Sequence, residues 1–267
     1  MAIRALVFDV DGTLAETEEL HRQSFNQAFA EAGLGWVWDR SLYTDLLGTT
    51  GGRERIVSYA QMAGHNVDPD LLHARKTEIY NVKINEGLVS LRPGVAELIE
   101  HATQEGVMLA IGTTTSRQNV VSLLHSTLGP RSLNLFSSIR TGEDVRAKKP
   151  DPEVYRLVLS DLGLGGSECL CIEDSRNGLM AARATGMRTV ITASLFTSHD
   201  DFSGADLILR NLAMPWSSAE FKPYTSMMDQ PLDVSRLLRR AGGKSGSRRT
   251  GASISPTSSS GPGPAPK

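Results

Sequence analysis

The sequence predicts an α/β protein, a doubly wound parallel sheet interrupted after its first strand by an inserted helical cap domain. Three observations predict it. Short, almost unbroken apolar runs suit strands covered on both faces. Segments with helical spacing, closed by glycine, separate those runs. One connection, residues 16–90, far exceeds the roughly 10–12 residues that a simple crossover needs.

Taken in order, Ala5-Leu6-Val7-Phe8 is apolar throughout and ends at Asp9. In the long connection, Leu20, Ser24, Ala28, Phe29 and Ala32 form one stripe ending at Gly33, and Ile56, Tyr59, Ala60 and Ala63 a second ending at Gly64. Asp68-Pro69 opens a third helix, with Asp as N-cap and Pro in the first turn. Val95, Leu98, Ile99 and Ala102 mark a helix closed by Gly106, which feeds a second strand, Val107-Met108-Leu109-Ala110-Ile111, leading to Thr113. A third run, Cys169-Leu170-Cys171-Ile172, ends at Glu173-Asp174, and a helix closed by Gly186 precedes a fourth, Thr189-Val190-Ile191. Strands alternating with helices imply right-handed crossovers, and such sheets bind ligands outside the carboxyl ends of their strands. Each unusual polar cluster lies at such an end.

The expected division is a core domain over 1–15 and 91–230, a helical cap over 16–90, a short amphipathic helix over 231–241 and a disordered Gly/Ser/Pro-rich basic tail over 242–267. Hinges are expected near Leu14-Ala15 and Leu91-Arg92, where the chain crosses between domains. The 267 residues are 40% hydrophobic and 22% charged, ordinary for a globular protein. A net charge of −2 gives no global field to collect nucleic acid or anionic membrane, so neither partner is expected. Lys244, Arg248 and Arg249 read as a solvated linker. No run approaches the ~20 apolar residues of a membrane span, and the N-terminal run is too short for a signal. Cys169 and Cys171 fit reduced core residues better than a zinc site or a disulfide. A cytoplasmic monomer is expected.

Asp9-Val10-Asp11-Gly12-Thr13 places two carboxylates two residues apart as the chain leaves a buried strand, where extended geometry aims both at one crevice. A pair of surface acids is the bland alternative, but unpaired carboxylates fed by a buried strand are costly without a cation. An EF-hand loop lacks its further ligands here. This segment resembles the first motif of haloacid dehalogenase superfamily phosphatases and mutases, which implies a Rossmann-like core. By that resemblance Asp9 attacks phosphorus to form an aspartyl phosphate, and Asp11 protonates the leaving oxygen and later activates water. Thr113 is implied to bind a phosphoryl oxygen, with Thr115 on the same side. Lys149, before Pro150-Asp151-Pro152, is implied to neutralise charge; adjacent Lys148 reads as an ordinary solvated lysine. Glu173-Asp174 resembles the acidic fourth motif. The implied cofactor is Mg2+, held by the side chains of Asp9 and Asp174 and the backbone carbonyl of Asp11, with Glu173 touching the ion only through a water or a neighbouring ligand.

The cap resembles that of β-phosphoglucomutase and, more closely, of CbbY-type sugar-bisphosphate phosphatases. The likeness rests on Ala15 to His21, Trp36-Val37-Trp38-Asp39-Arg40, Thr49 to Arg55, and Thr113-Thr114-Thr115-Ser116 with Asn119. It implies xylulose 1,5-bisphosphate as substrate. A bisphosphate needs a second anion site, for which Gly51-Gly52-Arg53 offers backbone amides beside a guanidinium and Lys76 an ammonium. Glu18 and His21 share a helix face and are candidates to contact sugar hydroxyls, with Thr115, Ser116 and Asn119. Trp36 and Trp38 read as cap packing. Two alternatives remain: a sugar-phosphate mutase, and an idle scaffold, against which stand both acids, Lys149 and Asp174.

Overall fold

The computed structural model describes residues 3–213, so the helix expected over 231–241 and the tail expected over 242–267 lie outside the described residues. The strands are β1 (Ala5–Phe8), β2 (Met108–Gly112), β3 (Ser138–Arg140), β4 (Cys169–Glu173), β5 (Arg188–Thr192) and β6 (Leu207–Leu209). Among the described residues they form one parallel sheet of order β3-β2-β1-β4-β5-β6. Every residue of β1 and of β4 is buried. Leu6 and Phe8 join one apolar cluster with Leu109, Ile111, Leu170 and Ile172, while Ala5 and Val7 join another with Ala110, Cys169 and Cys171. Alternation along each strand is therefore between two cores rather than between core and water, which is why these runs lack polar residues. Cys169 and Cys171 are free thiols, and burial raises both pKa values. The edge strands β3 and β6 have no counterpart among the expected ones, because three residues leave no apolar run to read.

The insertion after β1 carries four helices: α1 (Glu18–Glu31), α2 (Arg40–Leu46), α3 (Gly52–Ala63) and α4 (Pro69–Asn85). Three match the expected helices, and the seven-residue α2, whose N-cap Asp39 accepts from Leu42 N, is additional. Asp68 caps α4 by accepting from the amides of Asp70 and Leu71. The insertion buries its own cluster of Phe25, Phe29, Trp36, Trp38, Tyr43 and Ile56. The two indole rings lie at its centre, Trp38 packing edge-on to Phe29 at 4.8 Å.

The two chain crossings pair with each other. Ala15 and Leu91 form an antiparallel bridge, and Arg92 N donates to Leu14 O at 2.8 Å. The buried Arg92 guanidinium then ties this stem to the sheet, donating to Gly12 O and Ala193 O and pairing with Glu16. Four more helices complete the described residues: α5 (Val95–Gln104), α6 (Arg117–Leu128), α7 (Glu153–Leu162) and α8 (Arg176–Arg183). No helix among them is long and apolar enough to cross a membrane. The register Phe8↔Ile111 and Phe8↔Ile172 sets the ends of β1, β2 and β4 side by side, so Asp9, Thr113 and Glu173-Asp174 meet on one edge beneath the insertion.

Candidate active site

Asp9 Oδ1 accepts from Lys149 Nζ at 2.6 Å, and the same ammonium donates to Glu173 Oε1 at 2.7 Å. Glu173 is wholly buried. Its Oε1 also accepts from the Tyr155 hydroxyl at 2.6 Å, and its Oε2 from Asp174 N at 3.1 Å. It fits there because Gly178, in the first turn of α8, has no side chain; a Cβ at that position would collide with the Glu173 carboxylate. Gly12 is required for a similar reason: its φ is +81°, and a Cβ would run into the Asp174 carboxylate.

Asp9, Glu173 and Asp174 each present a ligand oxygen within 4.8 Å of the others. Of these three buried acids, two, Asp9 and Glu173, share the Lys149 ammonium. Burial pushes the Asp9 carboxyl up to about 8, with Lys149 opposing and Glu173 adding to the rise. Burial, then Glu173 and Asp9, hold Asp174 well above the usual carboxylate range. Burial works against the Lys149 ammonium, but Asp9 and Glu173 outweigh it and raise its pKa. The cluster lacks positive charge, and its oxygen donors suit a hard divalent cation, so the residues fit the implied metal.

Asp11 is built differently. Its Oδ1 accepts from the Thr17 hydroxyl at 2.6 Å and lies 2.9 Å from His21 Nε2. Lys76 Nζ stands 2.6 Å from His21 Nδ1. An ammonium only donates and a carboxylate only accepts, so this chain fixes the ring with Nδ1 accepting and Nε2 donating. Burial favours a neutral Asp11, yet His21, Thr17 and Lys76 outweigh it and its pKa is lowered. Lys76 itself is pulled down to about 8 by burial.

A cavity of about 290 Å3 opens above these acids, close to the lower end of the range of small-molecule sites. Its walls include Asp9, Asp11, Glu18, His21, Gly51, Gly52, Lys76, Thr113, Thr115, Ser116, Asn119, Lys149 and Asp174. Thr113 Oγ1 accepts from Thr115 N at 3.3 Å, Asn119 Nδ2 donates to Thr115 Oγ1 at 2.9 Å, and Ser116 caps α6. Glu18 accepts from the Tyr43 hydroxyl at 2.7 Å.

Arg53 departs from expectation. It turns outward, 45% exposed, and pairs with Asp70 at 2.6 Å. Two residues along a helix rotate a side chain by about 200°, so Arg55 faces inward instead. Buried Arg55 lines the cavity and donates to Leu46 O, Tyr43 Oη and Thr49 O. The signal was present in Ile56, Tyr59 and Ala60, whose stripe marks the inward face. Lys148 also departs from expectation, lining the cavity 3.6 Å from Glu54 rather than standing in solvent. His73, its pKa lowered to about 3 by burial and then by Lys76 and Lys148, lies beside them unforeseen. Thr17, Tyr155 and Asn177 were likewise not legible, since each acts through a tertiary contact.

The sequence pattern of the haloacid dehalogenase-like hydrolases matches residues 6–192. Protein CbbY of Rhodobacter capsulatus is 48% identical over 216 residues, which span 80% of this chain and 95% of that protein. Protein CbbY of Cereibacter sphaeroides is 44% identical over 79% of this chain and 93% of that protein. Among solved structures, CbbY from Rhodobacter sphaeroides in complex with phosphate is similar with TM-score 0.77 and 42% identity, over 82% of this chain and 98% of that one. A variant of the same protein in complex with xylulose-(1,5)bisphosphate gives TM-score 0.77 and 41% identity, over 82% and 99%. Matches of this extent, on a chain whose acids meet at the strand ends as the family's motifs require, show that it belongs to the haloacid dehalogenase-like hydrolases, as a CbbY-type phosphatase.

Proposed function

We propose that the phosphatase is magnesium-dependent and hydrolyses a small sugar bisphosphate, xylulose 1,5-bisphosphate, through an aspartyl phosphate at Asp9. The carrying observation is the polarity of the cavity: a floor of acids with Lys149, and a lining that also carries the cations Arg55 and Lys148. One phosphate meets the nucleophile, and these cations accept the other. That a CbbY relative was solved with this bisphosphate supports the choice.

Asp9 and Asp174 side chains and the Asp11 carbonyl would hold the ion, which when bound neutralises phosphoryl oxygens as a Lewis acid. Glu173 is engaged on both oxygens and orients Lys149 instead. The Asp9 carboxylate forms a bond to phosphorus while the bond to the sugar oxygen breaks, and that oxygen takes a proton from Asp11. Asp11, now an anion accepting from Thr17 and His21, removes a proton from water, whose oxygen displaces phosphate from Asp9. The lowered pKa of Asp11 keeps it anionic once it has given up its proton, the form that accepts from water. The proton that Asp11 takes from water recharges it for the first half of the next turnover, and His21, on the same oxygen, holds its carboxyl in place. The helical insertion acts as the cap that excludes bulk water.

The test is a phosphate-release assay over sugar mono- and bisphosphates. The expected result is one phosphate per bisphosphate, abolished by EDTA and restored by Mg2+. Isomerised sugar phosphate with little free phosphate would establish a mutase instead. Replacing Arg55 by Ala removes a charged donor from the distal wall. KM for the bisphosphate is expected to rise roughly 10–100-fold, as loss of a charge-assisted hydrogen bond implies, with kcat on a monophosphate changed only a few-fold. Equal losses on both substrates would place Arg55 outside distal recognition.

A further inference from the structure

Three contacts cross the cavity from the sheet edge to the insertion. Phe196 meets Tyr43 edge-on at 5.7 Å, Lys148 faces Glu54 at 3.6 Å, and Asn177 Nδ2 donates to Thr50 Oγ1 at 3.0 Å and to Gly48 O at 3.4 Å. The last of these joins two functional loops directly. Asn177 lies in the first turn of α8, three residues after Asp174, whose preceding Glu173 holds Lys149. Thr50 immediately precedes Gly51-Gly52, where α3 begins and where the cavity wall is bare backbone. Gly48, Thr50 and Asn177 all line the cavity, so the bond spans its mouth.

The geometry points to Asn177 as a positioning residue that holds the Gly48 to Gly52 loop of the cap in place over the acid cluster. The inference rests on the insertion acting as the cap. An amide suits the task. It is neutral, so it adds nothing to the charge of the acid cluster, and one N–H2 group reaches both a hydroxyl and a carbonyl acceptor. The bond is only part-buried, so its loss leaves little uncompensated buried polarity, and one neutral hydrogen bond shifts a closing equilibrium about fivefold. Helix capping is independent of it, because Ser175 Oγ accepts from Gly178 N to start α8.

The experiment compares the full chain with Asn177→Ala, Thr50→Ala and the double variant in two measurements. Amide hydrogen exchange in the unliganded protein is expected to speed up about fivefold over residues 48–55 in each variant, no further in the double variant, and not at all over α1 or β4. In steady state, KM for the sugar bisphosphate is expected to rise about fivefold with kcat within twofold, while turnover of a small aryl phosphate stays unchanged. Exchange that is unaltered over 48–55, or faster throughout the chain, would overturn the proposal, as would additive effects of the two substitutions. Exchange needs no substrate, so a wrong assignment of the bisphosphate leaves this arm readable.

Discussion

Asp9→Asn is expected to lower phosphate release by at least about 10⁴-fold while leaving the fold intact, since it removes the nucleophile and nothing else in the site can replace it. An asparagine keeps an Oδ1 to accept from Lys149, now 2.6 Å from the carboxylate. It also ends the cost of holding a buried carboxylate whose pKa is pushed up to about 8. The melting temperature should therefore stay level or rise, the usual exchange of activity for stability at a strained site. Circular dichroism melts beside phosphate assays check both halves. A variant that loses activity and melts early would mean a structural role for Asp9.

Lys149 should produce the second largest loss, with the opposite effect on stability. Its ammonium lies between Asp9 and Glu173, 4% exposed, and stacks over the Tyr155 ring at 4.6 Å. Lys149→Met removes the one cation of the described cluster and leaves two buried carboxylates facing each other. Breaking a buried pair by deleting one partner costs about 3–5 kcal/mol. In catalysis the ammonium offsets repulsion between an anionic nucleophile and an anionic phosphate, so kcat should fall by about 10²–10³-fold. Added Mg2+ should recover part of the stability, because another cation then occupies the cluster, but not the turnover. Full activity in this variant would show that the metal alone carries the charge compensation.

Much of this site was legible in the sequence, for a physical reason. A parallel sheet with two covered faces writes itself as apolar runs, and the residues that end those runs are placed together by the register, whatever the helices do. Asp9, Thr113 and Glu173-Asp174 could thus be read as neighbours before any coordinates, and Lys149 by resemblance. Residues whose role depends on a helix's rotation were harder. Arg53 and Arg55 differ by two positions and face opposite ways, one to Asp70 and one to the cavity. Lys148 reads as solvated until the insertion brings Glu54 within 3.6 Å. Tyr155 and Asn177 carry no signal of their own, because each acts on a loop distant in sequence. The short edge strands and α2 went unread, being too brief to show a period.

The covalent intermediate is the claim on which the roles of Asp11, Lys149 and the metal site all rest. The most direct measurement is rapid quenching of the turning-over enzyme with borohydride, which reduces an acyl phosphate to an alcohol, followed by peptide mass spectrometry. Reduction confined to the peptide carrying Asp9, absent from Asp9→Asn and absent without substrate, is the expected result. Turnover at full rate with no modification at Asp9, or trapping at a different side chain, would contradict it.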